Sequence, residues 1–105
     1  MDEKKFELII AFVNSGFTDL VMDSAREHGA RGGTVLHARG TGNKEIEEKY
    51  NISISTDKEM VMIVVESTAK DEILKAINEA VGFQTDGHGI AFSVPIDDVV
   101  GLKFE

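Results

Sequence analysis

Apolar residues fall in short runs along this chain, separated by polar and glycine-rich breaks. Residues 6–13 (FELIIAFV) are rich in Ile, Val and Phe with only Glu7 inside, the pattern of a strand covered on both faces. Asn14, Ser15 and Gly16 break that run. Thr18 can then cap a helix over about 18–28, where Leu20, Val21, Met22 and Ala25 recur at helical spacing before Gly29 supplies a stop. Thr34-Val35-Leu36-His37-Ala38-Arg39 reads as a second strand running into Gly40-Thr41-Gly42. Residues 43–58 are mostly polar, with Ile46, Tyr50, Ile52 and Ile54 as a broken apolar pattern, and read as a long, partly mobile loop. Met60–Val65 is a third, continuously apolar strand. Thr68-Ala69-Lys70-Asp71 matches a capping box opening a helix with Ile73, Leu74, Ile77 and Ala80 on one face, closed by Gly82. Phe83–Gly89 is irregular, Ile90–Val94 is a fourth strand stopped at Pro95, and Val99–Phe104 forms a strand-like tail.

The order strand, helix, strand, loop, strand, helix, strand, with right-handed crossovers, predicts an α+β fold. It is a ferredoxin-like βαββαβ sandwich, an antiparallel sheet with two helices on one face, spanning residues 1–105 as a single domain. Strands one and three are too apolar for the other sheet face to stay wet, and no further helix is left to cover it. Self-association is the expected solution, burying about 800 Å² per subunit in an ordinary specific contact.

Charge and composition narrow the function. The net charge is -8, with acidic residues spread from Asp2 to Glu105, which repels phosphate backbones and argues against nucleic acid. There is no Cys, so thiolate metal sites and cysteine nucleophiles are excluded, and a cytoplasmic location is the default expectation. The apolar run 6–13 is too short to span a bilayer. His28, His37 and His88 lack the spacing of a metal site, although a metal-binding trimer of the divalent-ion tolerance type is an alternative. Glu45, Glu47, Glu48, Asp97 and Asp98 lie in runs typical of solvated faces, and no nucleophile–base pair can be named, so the chain does not read as an enzyme.

FELIIAFV, ARGGTVLHARGTG, MVMIVVE and TDGHGIAFSVPIDDVVGL, in this order and spacing, resemble the P-II family of nitrogen regulatory proteins over nearly the whole chain. The resemblance implies a homotrimer that binds an adenine nucleotide (ATP, ADP or AMP) in clefts between subunits and controls a transporter or enzyme through its long loop. The implied site is Gly40-Thr41-Gly42 with Gly87-His88-Gly89, where glycines taking positive φ would bring main-chain N–H groups to phosphate oxygens. Thr34 and Arg39 are further contacts. Such a Gly-x-Gly also serves as a plain turn, which leaves a ligand-free protein-docking adaptor as the alternative.

Departures from the family pattern bear on this reading. Ile90 stands where a phosphate-binding Lys is usual, and Gly101 and Lys103 where basic residues follow, so phosphate charge is less well matched, with Arg39, Lys103 and His88 as partial compensation. Gly42 is followed by Asn43-Lys44-Glu45 in place of the glutamine stretch linked to 2-oxoglutarate, so sensing of that ligand is not carried over. Tyr50 lies where some relatives carry a modified Tyr, in surroundings that do not match.

Overall fold

The computed structural model describes residues 4–42, 44–51 and 56–102. Strands β1 (Phe6–Asn14), β2 (Thr34–Arg39), β3 (Asp57–Glu66) and β4 (Ile90–Ile96) form one sheet in the order β2-β3-β1-β4, with every neighbouring pair antiparallel. Helix α1 (Thr18–Arg26) links β1 to β2, and α3 (Lys70–Val81) links β3 to β4; a short helix α2 (Lys44–Tyr50) lies between β2 and β3. Each pair linked by α1 or α3 is parallel and has another strand between its members, which is the split βαβ arrangement of a ferredoxin-like sandwich.

Alternation along the strands decides where the core lies. Ile9, Ala11 and Val13 on β1 and Val61, Ile63 and Val65 on β3 are buried, and Val21, Met22 and Ala25 of α1 with Ile73, Ile77 and Val81 of α3 close over them. Both helices therefore cover the same face. The alternate residues point the other way: Ile10 sits in register between Met62 and Phe92, and Leu8 between Val64 and Val94. Phe92 and Val94 are each 42% exposed, so within one chain this second face is apolar and open rather than covered as the sequence of β1 and β3 implies.

Several local expectations are corrected. Phe17, not Thr18, occupies the cap position of α1, and no side chain caps it. The helix ends at Arg26, and the chain leaves it through Gly29 at φ 103°, with the Ala30 N–H donating to the Ala25 carbonyl at 3.1 Å. The expected capping box does not form either: Ser67–Ala69 make a 3₁₀ turn, and Ala69 caps α3 without a side-chain bond. Pro95 does not stop β4, which continues to Ile96 with Pro95 opposite Glu7. An edge strand tolerates a missing N–H because half of its donors face away from its only neighbour. The expected loop carries helix α2, where Glu45 precedes Lys49 and Ile46 precedes Tyr50 at the i,i+4 spacing that supports a helix. No strand forms over Val99–Leu102; Asn43, Ile52, Ile54, Lys103 and Phe104 lie outside the described residues.

The end of α3 is locked to the start of β4. Gly89 donates its N–H to the Val81 carbonyl at 2.7 Å, and a Cβ at Gly89 would run into that oxygen and come within 3.0 Å of Val13 Cγ1. Neighbouring backbone cannot give way as a flexible side chain would. Gly89→Ala should therefore destabilise the chain by about 1–3 kcal/mol, as overpacking does. Thermal unfolding should show a midpoint lowered by about 4–8 °C for each kcal/mol; an unchanged midpoint would contradict the close approach.

Candidate functional site

Antiparallel pairing brings the C-terminal end of β1, the end of β2 and the starts of β3 and β4 to one end of the sheet. There Phe12 pairs with Met60 and Ile90, and Arg39 with Asp57. Beyond Arg39 the Gly40 N–H donates to the Thr56 carbonyl at 2.8 Å, pinning the root of the α2-bearing loop. A cleft of about 370 Å³ opens beside this root, lined by Phe12, Ala38, Arg39, Gly40, Thr41, Lys58, His88 and Ile90. Phe12, Ala38, Lys58 and Ile90 are registered neighbours on the open sheet face, so the cleft merges with that face.

The two glycine turns named from the sequence thus meet, and they do so within one chain. They contribute differently from the expectation. Gly87 and Gly89 are buried, and their N–H groups are used internally: Gly87 donates to Thr85 Oγ1 at 3.2 Å and Gly89 to Val81. The His88 N–H also donates inward, to the Thr85 carbonyl at 3.0 Å. This turn therefore offers the cleft a side chain and not main-chain donors. Its left-handed residue is His88, at φ 43°; Gly40, Gly42, Gly87 and Gly89 lie outside the left-handed region. The glycines are required by close packing against α3, where a Cβ at Gly87 would fall 2.9 Å from Val81 Cβ.

His88 is exposed, with Nδ1 3.0 Å from the Phe83 carbonyl and its ring edge-on to Phe83 at 5.9 Å. A carbonyl only accepts, so Nδ1 carries the hydrogen there and Nε2 is left for another partner.

Thr34 is not part of this cleft. It lies at the other end of β2, about 17 Å from Arg39 at the usual strand rise, in a separate hollow with Arg31, Gly32, Gly33, Met62, Val64 and Leu102. Gly42 stands against Glu47, whose Oε1 would be 3.1 Å from a Cβ there. Lys103 lies outside the described residues.

Two residues enter that the sequence reading missed. Lys58 lines the cleft and donates from Nζ to Asn14 Oδ1 at 2.6 Å. Asn14 in turn donates from Nδ2 to the Asp86 carbonyl at 2.9 Å. Lys58 was hidden in a stretch read as loop, and Asn14 looked like a strand breaker; only the register, in which the two are opposite, makes them partners. Among the described residues no three His, Asp or Glu side chains gather as metal ligands, and no helix is long and apolar enough to cross a membrane.

The comparisons with known proteins fit this architecture. The sequence matches the model of the family "Nitrogen regulatory protein P-II" over residues 6–105. No curated protein matches it significantly. Among solved structures, it resembles Arabidopsis thaliana PII bound to citrate, with a TM-score of 0.70 and 24% identity, covering 93% of this chain and 81% of that one. It also resembles a Thermus thermophilus protein described as a PII-like signaling protein, with a TM-score of 0.67 and 19% identity, covering 91% of this chain and 90% of that one. At these identities the structures establish the shared fold, and the match of 6–105 to the family model establishes the lineage: the chain belongs to the nitrogen regulatory protein P-II family, and is a signalling regulator of that family.

Proposed function

We propose that the chain works as a homotrimer that takes an adenine nucleotide into the cleft at the loop root and relays its occupancy to a partner protein through the 40–56 loop. The supporting observation is electrostatic. In a chain of net charge -8, this cleft is lined by the ammonium-bearing Lys58 and by His88, with Arg39 at its edge on the alternate side of β2 opposite Asp57, and, among the described residues, its lining includes no carboxylate. Such local reversal of sign favours an anion against the repulsion of the rest of the surface. Phe12, Ala38 and Ile90 offer apolar contact beside these groups, as a base or ribose would require.

Lys58 takes the place of the phosphate-binding cation missing at Ile90. The cleft opens onto the apolar sheet face, so a second copy covering that face would also close the cleft and bring its own residues to the ligand; Thr34, too distant within one chain, would arrive that way. The loop springs from Gly40 and Thr41, so a ligand touching them biases the loop directly. The regulated partner would be a transporter or an enzyme, in keeping with the family.

Three measurements test this reading. ATP, ADP or AMP at millimolar concentration should raise the melting temperature, since a ligand at about 100 times its Kd adds about 2.7 kcal/mol; no shift with any of them would favour the ligand-free adaptor. Citrate, which the Arabidopsis relative binds, serves as a non-nucleotide anion for comparison. Lys58→Met should weaken ATP binding by about 1.5–3 kcal/mol, roughly ten- to a hundredfold, through loss of a charge-assisted bond, and calorimetry finding equal affinities would remove Lys58 from the site. Phe92→Glu, placing a charge in the open face, should convert trimers to monomers in light scattering; a wild-type protein that is already monomeric at micromolar concentration would refute the assembly.

A further inference from the structure

The two walls of the cleft come from segments far apart in sequence: the loop root with Lys58 on one side, and the turn bearing His88 on the other. One side chain touches both. Asn14 accepts from Lys58 Nζ through Oδ1 at 2.6 Å and donates through Nδ2 to the Asp86 carbonyl at 2.9 Å, while its main-chain N–H donates to the Gly87 carbonyl at 2.8 Å. The chemistry permits one orientation of the amide. An ammonium can only donate and a carbonyl can only accept, so the oxygen must face Lys58 and the nitrogen Asp86. Of the side chains of this length, a carboxamide alone presents an acceptor and a donor at once. Asp can hold Lys58 but would set an oxygen against the Asp86 carbonyl; Leu can do neither.

Held by one of its three donors, the Lys58 ammonium keeps two for another acceptor, and among the described residues no second protein partner takes them. We infer that Asn14 is the positioning residue of the cleft, aiming Lys58 at a bound anion and fixing the His88 turn at the matching distance. This inference rests on the anion-binding reading above and adds a residue to it. It also gives anion binding a route from loop root to turn: drawing Lys58 toward a ligand loads the carboxamide that tethers the Asp86 carbonyl, next to the Gly87 carbonyl held by the main chain of the same residue.

The test is a double-mutant cycle read by titration calorimetry with ATP, with circular dichroism melts confirming that each protein is folded. Asn14→Ala should weaken ATP binding about tenfold in the wild-type background and by about threefold or less in a Lys58→Met background, because there is no ammonium left to aim and only the placement of the turn is lost. Full additivity of the two changes, or wild-type affinity in Asn14→Ala, overturns the inference. Asn14→Asp should bind more weakly than Asn14→Ala, since its carboxylate neutralises Lys58 beside the ligand; equal or tighter binding counts against it. A ligand-free readout stands beside these. The amide of residue 14, bonded to the Gly87 carbonyl, should exchange with solvent at least tenfold faster in Asn14→Asp if the turn has been released, and unchanged protection would overturn the tether. Wild-type protein that fails to bind ATP at all would bring down the nucleotide reading and the aiming role together, while the exchange measurement still decides whether Asn14 ties the two walls.

Discussion

A sheet with two apolar faces and helices enough for one is the constraint from which the rest of this structure follows. β1 and β3 carry large aliphatic residues at successive positions, and strand alternation sends half of them to each side. The α1 and α3 layer buries Ile9, Val13, Ile63 and Val65 to 1% exposure or less, while Phe92 and Val94 on the opposite face remain 42% exposed. Open apolar area of this kind is costly in water and favours a cover from outside the chain.

The site grows out of the same geometry. Because β1 is central, its C-terminal end meets both the loop that leaves β2 and the turn that enters β4, and Asn14, the last residue of β1, stands where the two meet. The turn is shaped by its packing on the end of α3, with Gly87 and Gly89 pressed against Val81. Its amides are consumed in that packing, and the chemistry it presents is the imidazole of His88. The groups lining the cleft likewise come from three elements, β2, β3 and the turn, although none of the three is conspicuously basic alone.

Much of this was legible in the order of residues. The strand positions, the two core helices, the split βαβ order and the two glycine turns all follow from periodicity and breakers, which act locally. The misreadings have local causes too. Thr68-Ala69-Lys70-Asp71 has the pattern of a capping box but is pre-empted by a 3₁₀ turn, and Lys44–Tyr50 looked too polar for a helix although its i,i+4 pairs support one. Pro95 reads as a stop only if its strand has neighbours on both sides, and the sheet order places β4 at an edge.

What the sequence settled by itself is the run lengths and the punctuation: which segments are strands and core helices, that the first and third strands are apolar on both faces, and that glycines recur where β2 ends and β4 begins. What tertiary structure alone decided is the partnership across those segments. Lys58 and Asn14 are separated by 44 residues and become neighbours only through the β1–β3 register; Gly87 and Gly89 turn inward only because α3 ends beside them. Local patterns are set by interactions between near neighbours in the chain, whereas the identity of a cleft's lining depends on register, and a shift of one residue in that register would turn Lys58 to the other face of the sheet.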